Sequence, residues 1–137
     1  MRVVIDTNVF ISGVFFSGIP SRILDACFLG HCEMAVSPEI FEEYLRVGSQ
    51  FSKRPPNTDL QHLLALILNI SILVEDTKGA GQICSDPDDD KFIHCALAAG
   101  ATHIISGDRH LLDATGHGGV QVIRPRSFVE KYLKQQG

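Results

Sequence analysis

The chain has 137 residues and a mass of 15.0 kDa, which fits one compact domain spanning 1–137 with a core large enough to need no disulfide or metal staple. A hydrophobic share of 45% with 20% charged residues excludes an intrinsically disordered chain. Twelve Lys and Arg against sixteen Asp and Glu give a net charge of −4, so the chain is not one that coats duplex nucleic acid by charge alone. An acidic protein can still act on phosphates when a metal ion supplies the positive charge.

In chain order, short apolar runs alternate with helical patterns. Val3-Val4-Ile5 reads as a buried strand and Asp6 as the start of a helix. The acid at position 6 interrupts the apolar run too early for a signal peptide. The longest uncharged stretch, Thr7 to Ser21, is broken by Gly13, Gly18 and Pro20 and is too short to span a bilayer, so a cytoplasmic protein is expected. Ile23, Leu24, Cys27 and Phe28 give Ser21–Leu29 a helix face, and Cys32–Val36 is a second strand. Ser37-Pro38-Glu39 opens a helix to about Val47, with Ser37 as N-cap. Lys53 to Asn57 is a loop, and Thr58 caps a helix from Asp59 to about Asn69.

Ile70–Val74 is a third strand, followed by a glycine-containing loop, Glu75–Ser85. Asp86-Pro87 opens a helix that ends near Gly100, and Thr102–Ser106 is a fourth strand. Gly107–Asp113 forms a turn and short helix, Val120–Ile123 a fifth strand, and Pro125–Gln135 a closing helix. This alternation predicts a three-layer α/β/α sandwich around a largely parallel sheet. The cysteines Cys27, Cys32, Cys84 and Cys95 include no C-x-x-C pair, which argues for buried thiols rather than a zinc site.

In such sheets ligands bind beyond the carboxyl ends of the strands, where the strand order reverses. Two of those ends carry an acid: Asp6-Thr7-Asn8 after the first strand and Ser106-Gly107-Asp108 after the fourth. Each acid alone reads equally well as a helix cap or turn residue. On the helix after Ser37, Glu39, Glu42 and Arg46 share a polar face, with Glu42 and Arg46 spaced to pair. Glu43 differs: it lies three after Ile40 and four before Val47, on the flank of the apolar face, where an unpaired carboxylate is costly.

The run Asp86-Pro87-Asp88-Asp89-Asp90 holds more acids than one cap needs. Asp90 lies three before Ile93 and Asp89 four before it, so helix geometry leaves both as inward-facing candidates. If one such acid met Asp6, Glu43 and Asp108, each pair about 5 Å apart would repel by roughly 3 kcal/mol at an effective dielectric near 20. Protons or a divalent cation would have to neutralise the cluster. An all-carboxylate donor set suits Mg²⁺ or Mn²⁺.

The four segments together, Asp6-Thr7-Asn8, Ser37-Pro38 leading to Glu43, Asp86 through Asp90 leading to Phe92-Ile93, and Ser106-Gly107-Asp108, resemble a PIN domain over essentially the whole chain. Within that family the chain is similar to the small prokaryotic proteins of the VapC type, the toxin components of toxin–antitoxin pairs. The resemblance implies a parallel five-stranded sheet in the order 3-2-1-4-5. It also implies that Asp6, Glu43, Asp90 and Asp108 form an acidic catalytic and metal-binding quartet, breaking the tie in favour of Asp90. Asn8 and Ser106 match polar positions lining the family's site, Ser106 standing where threonine is also common.

The expected activity is that of a Mg²⁺- or Mn²⁺-dependent endoribonuclease, with a homodimer and a protein antitoxin as implied partners. Arg109, beside Asp108, is the first choice for substrate contact, followed by Lys53-Arg54 and Arg124-Pro125-Arg126. His94 and His110 lie close in sequence to the acids, though core or surface roles suit them better. The apolar helix Asp59–Asn69 offers weak support for a dimer face. The rival readings are a phosphotransfer protein and a catalytically silent PIN-like binding module. A phosphatase of the haloacid-dehalogenase type is opposed by Asn8, and a receiver domain would rest on Asp76.

Overall fold

The computed structural model describes residues 1–52, 60–75 and 81–133. Lys53, Arg54, Asn57, Thr58, Asp59, Asp76, Gly79 and Gln135 lie outside them, and with them the first basic pair, the proposed Thr58 cap and the receiver-type Asp76. In order, the elements are β1 (Arg2–Ile5), α1 (Thr7–Phe15), α2 (Ile19–Phe28), β2 (Glu33–Val36), α3 (Pro38–Ser52), α4 (Leu60–Ile70) and β3 (Ile72–Leu73). There follow α5 (Asp90–Ala99), β4 (His103–Ile105), α6 (Arg109–Asp113), β5 (Gln121–Ile123) and α7 (Pro125–Phe128). All four strand pairings are parallel and the order is β3-β2-β1-β4-β5, as the resemblance implied.

The chain reverses direction across the sheet between β1 and β4, which pair from Val3↔His103 to Ile5↔Ile105. Val3, Val4, Ile5, Ile104 and Ile105 are fully buried, as continuous apolar runs in a covered parallel sheet should be. Helix α5 packs across β1, β2 and β4, while α1 and α7 both pack on α2. Tyr44 of α3 is fully buried, stacks on Phe10 of α1 at 3.9 Å between ring centroids, and donates its hydroxyl proton to the Ile5 carbonyl. That bond fixes the end of β1 one residue before Asp6.

Several boundaries differ from expectation. Helix α3 runs five residues past Val47, because Phe51 continues the apolar face and packs on Phe15. Helix α2 begins at Ile19, with Pro20 accommodated in the first turn where its missing N–H costs nothing. Strand β3 is only two residues long. Asp86 does open a turn, its carboxylate accepting from the Asp88 N–H, but Pro87–Asp89 is a separate 3₁₀ turn ahead of α5. The closing helix widens to a π-turn over Val129–Leu133, which brings Phe128, Val129 and Leu133 all onto the core.

Gly13 lies where α1 packs on α2: a Cβ there would stand 2.7 Å from Leu24 Cδ1 and 2.9 Å from the Pro20 carbonyl oxygen. In an isolated helix, Gly→Ala stabilises by about 1 kcal/mol. In this protein Gly13→Ala should instead lower stability by about 1–3 kcal/mol through overpacking against backbone. Urea denaturation checks the sign.

Candidate active site

Asp6 and Asp108 each follow a strand and each caps a helix, so the ordinary capping role and the site role coexist. Asp6 Oδ1 accepts from the Val9 N–H at 2.9 Å, and Asp108 Oδ1 from the His110 N–H at 3.1 Å. The other oxygen of Asp6 accepts a short hydrogen bond from the Ser106 hydroxyl. Ser106 is fully buried, and its Oγ in turn accepts from the Asp108 N–H at 2.9 Å. One hydroxyl thus ties the two strand-end acids together across the β1–β4 boundary.

Glu43 reaches the same place from α3. Thr7 donates its hydroxyl proton to Glu43 Oε2, while Lys91 Nζ stands 3.1 Å and Arg46 Nη2 3.5 Å from Oε1. Arg46 therefore pairs with Glu43, not with the expected Glu42.

The fourth acid is Asp89. It lines a cavity of about 180 Å³ with Asp6, Thr7, Asn8, Glu43, Phe92 and Asp108, and Asp90 does not. The 3₁₀ turn explains why this placement differs from the Asp90 that the resemblance implied. It shifts the start of α5 to Asp90 and aims that carboxylate back at the preceding loop, where it accepts from the Cys84 N–H at 2.6 Å and the Ile83 N–H at 3.1 Å. Burial acts to raise the Asp90 pKa, but these amides outweigh it and hold it below the ordinary carboxylate value.

His94 and His110 secure the same loop. His94 Nε2 lies 2.9 Å from the Gly81 carbonyl oxygen and His110 Nδ1 lies 2.7 Å from the Ser85 hydroxyl. Asn8 is exposed and lines the cavity; Arg109 is exposed at the start of α6 and does not line it.

The electrostatics of the cavity run the opposite way from those of Asp90. Burial raises the Asp6 pKa, the Ser106 and Val9 hydrogen bonds work against that, and the Asp108 and Glu43 charges add to it. Asp89 is pushed up to about 7 by burial, by an Asp108 carboxyl within hydrogen-bonding reach, and by the charges of Asp108 and Asp86. Asp89 Oδ2 is buried with no hydrogen-bond donor.

Among the described residues no three His, Cys, Asp or Glu side chains are spaced to close on one ion; the carboxylates line a common cavity rather than meet at a point. Their chemistry nonetheless fits a hard divalent cation: every donor is oxygen, one oxygen is orphaned, and the surplus negative charge is expressed as raised pKa values. Sequence reasoning passed over Thr7 and Lys91. Thr7 stood in the quoted motif, and its hydroxyl was the available signal. For Lys91 the signal was a cation in the first turn of a helix, where the dipole disfavours positive charge.

Fold and cavity together define an α/β protein with an acidic, oxygen-donor site at the carboxyl edge of its sheet. The PIN domain family matches residues 2–110. An uncharacterized protein of Methanocaldococcus jannaschii is 30% identical over 146 aligned positions, covering 98% of this chain and 93% of the relative. The crystal structure of PAE2754 from Pyrobaculum aerophilum superposes with a TM-score of 0.61 at 13% identity, covering 98% of this chain and 91% of that one, which shows the shared fold. The chain belongs to the PIN domain family, whose members are generally nucleases that use divalent metals. Among the described residues no single helix is long and apolar enough to cross a membrane.

Asp89 and Asp90 should separate in a pH-resolved stability measurement. The Asp89 carboxyl titrates near 3.8 when unperturbed and near 7 in the fold, so the folded state holds this proton more tightly. Its stabilising contribution is complete below about pH 4 and is lost as pH rises through about 7. In EDTA, the wild-type melting temperature should fall over that interval more steeply than that of Asp89→Asn. Asp90→Asn, which weakens the acceptor for two loop amides, should lower stability at pH 7 by about 1–3 kcal/mol.

Proposed function

We propose that the protein is a Mg²⁺- or Mn²⁺-dependent endoribonuclease acting as the toxin of a toxin–antitoxin pair. The observation that carries the nuclease reading is the gathering of Asp6, Glu43, Asp89 and Asp108 from separate segments around one cavity, with a buried Asp89 oxygen left without a donor. Asp6, Asp89 and Asp108 line the cavity and would close on the ion to hold it. When bound, the ion supplies an acidified water and positive charge opposite the scissile phosphate. Glu43, which lines the same cavity, orients the attacking water. Ser106 fixes the rotation of the Asp6 carboxylate and, through the Asp108 N–H, the position of the second strand end.

Substrate grip comes from the exposed Arg109, Arg124 and Arg126. A second cavity of about 340 Å³ shares Asp6, Asn8 and Asp108 with the first and continues past Val9, Ser12, Pro20, Gly107 and Pro125, giving an RNA strand somewhere to lie on one side of the cleaved bond. Exposed Leu66, Leu68 and Ile70 on α4, with Leu73 on β3, support a homodimer or an antitoxin contact on that side of a cytoplasmic protein.

Cleavage of a labelled RNA oligonucleotide should require Mn²⁺ or Mg²⁺ and stop in EDTA. Folded Asp6→Asn and Asp89→Asn should show no cleavage, and Ser106→Ala should be about 10- to 100-fold slower. Undiminished activity in Asp6→Asn, or cleavage in EDTA, would reject the metal-nuclease reading.

A further inference from the structure

We propose that Lys91 is a built-in counter-ion that keeps Glu43 out of the metal-ligand set, so that the site takes one divalent cation rather than two. The inference rests on the metal-dependent nuclease reading above and adds the number of ions and the division of labour among the acids. Both oxygens of Glu43 are already engaged: Oε2 accepts from the Thr7 hydroxyl, and Oε1 faces Lys91 Nζ at 3.1 Å and Arg46 Nη2 at 3.5 Å. The two cations are not equivalent. Arg46 is 71% exposed, whereas the Lys91 side chain is only 9% exposed. An ammonium shielded to that extent is held by its partner and is weakly screened by salt.

Helix energetics does not account for Lys91. It is the second residue of α5, at the end of the helix where the backbone dipole repels a cation. What surrounds it is a set of compensations: Glu43, the Asp88 carbonyl to which it donates, and the Phe92 ring with its centroid 5.2 Å from Nζ. The other acids lining the cavity are the reverse case. Asp89 Oδ2 is buried without a donor, and among the described residues no cation stands within ion-pair distance of Asp6, Asp89 or Asp108. The charge is therefore divided: a Glu43 arm already neutralised by the chain itself, and an Asp6–Asp89–Asp108 arm that is not. A second divalent ion bound to Glu43 would stand close to the shielded Lys91 ammonium and meet its charge repulsion. Glu43 is thereby a positioning residue for the attacking water, and Lys91 a positioning residue for Glu43.

Counting Mn²⁺ per chain by equilibrium dialysis and titration calorimetry tests this without turnover. The wild type should bind one ion, Glu43→Gln should still bind one, and Asp89→Asn should lose at least about 10-fold in affinity. Lys91→Met should expose a second Mn²⁺ site; if that variant does not fold, the Glu43→Gln result decides alone. Two ions on the wild type, or loss of the first ion in Glu43→Gln, would overturn the role of Lys91 while leaving the metal reading intact. A wild type that binds no Mn²⁺ would overturn the metal reading and this inference with it.

Discussion

Everything at the carboxyl edge of the sheet follows from one electrostatic constraint: acids from remote parts of the chain are held around one cavity. Such an arrangement opposes folding, and the fold tolerates it by giving each acid a different compensation. Asp6 takes the Val9 N–H and the Ser106 hydroxyl, Glu43 takes Thr7 and Lys91, and Asp89 keeps a proton near neutral pH beside Asp108. The rigidity to hold them comes from beneath. The fully buried ends of β1 and β4, and the Tyr44 hydroxyl on the Ile5 carbonyl, leave the strand ends little room to splay apart.

Neighbouring aspartates at the start of α5 show how far environment outweighs residue type. Asp90 is the more buried of the two, yet two backbone amides hold it ionised, and its work is to secure the loop at 83–84. Asp89 meets another carboxyl and no donor at Oδ2, so its affinity for a proton rises. Titratable groups pushed in opposite directions within one turn are the pattern expected where a structural acid supports a chemical one. The loop secured by Asp90, His94 and His110 closes the same end of the molecule that Asp89 serves.

The parts legible in the sequence were those governed by strand physics. Continuous apolar runs such as Val3–Ile5 mark strands covered on both faces, and the acids immediately after them fall at one edge of a parallel sheet whatever the loops do. Glu43 was legible because a carboxylate on the flank of an apolar helix face demands a partner. The choice between Asp89 and Asp90 was not legible. A 3₁₀ turn advances differently from an α-helix, so three residues of Pro87–Asp89 are enough to exchange which acid points inward. Lys91 was hidden because a lysine after an acidic run looks like surface, and only the tertiary approach of α3 supplies Glu43 as its partner. The π-turn at 129–133 has no local sequence signal, since its widening serves packing on the core.

The acidic character of the whole molecule bears on how a polyanion could reach such a site. At a net charge of −4 the overall field opposes nucleic acid, and only local features can offset it. The described arginines of α3, α6 and the start of α7 differ in their engagement. Arg46 is committed to Glu43, while Arg109, Arg124 and Arg126 are exposed on segments that adjoin Asp108 and Pro125, where the second cavity opens. The surface over α3 is mixed, with Glu39, Glu42, Glu43 and Asp88 set against Arg46 and Lys91. On the nuclease reading proposed above, the positive charge that offsets the overall field is set by where α6 and α7 begin rather than by the acids themselves.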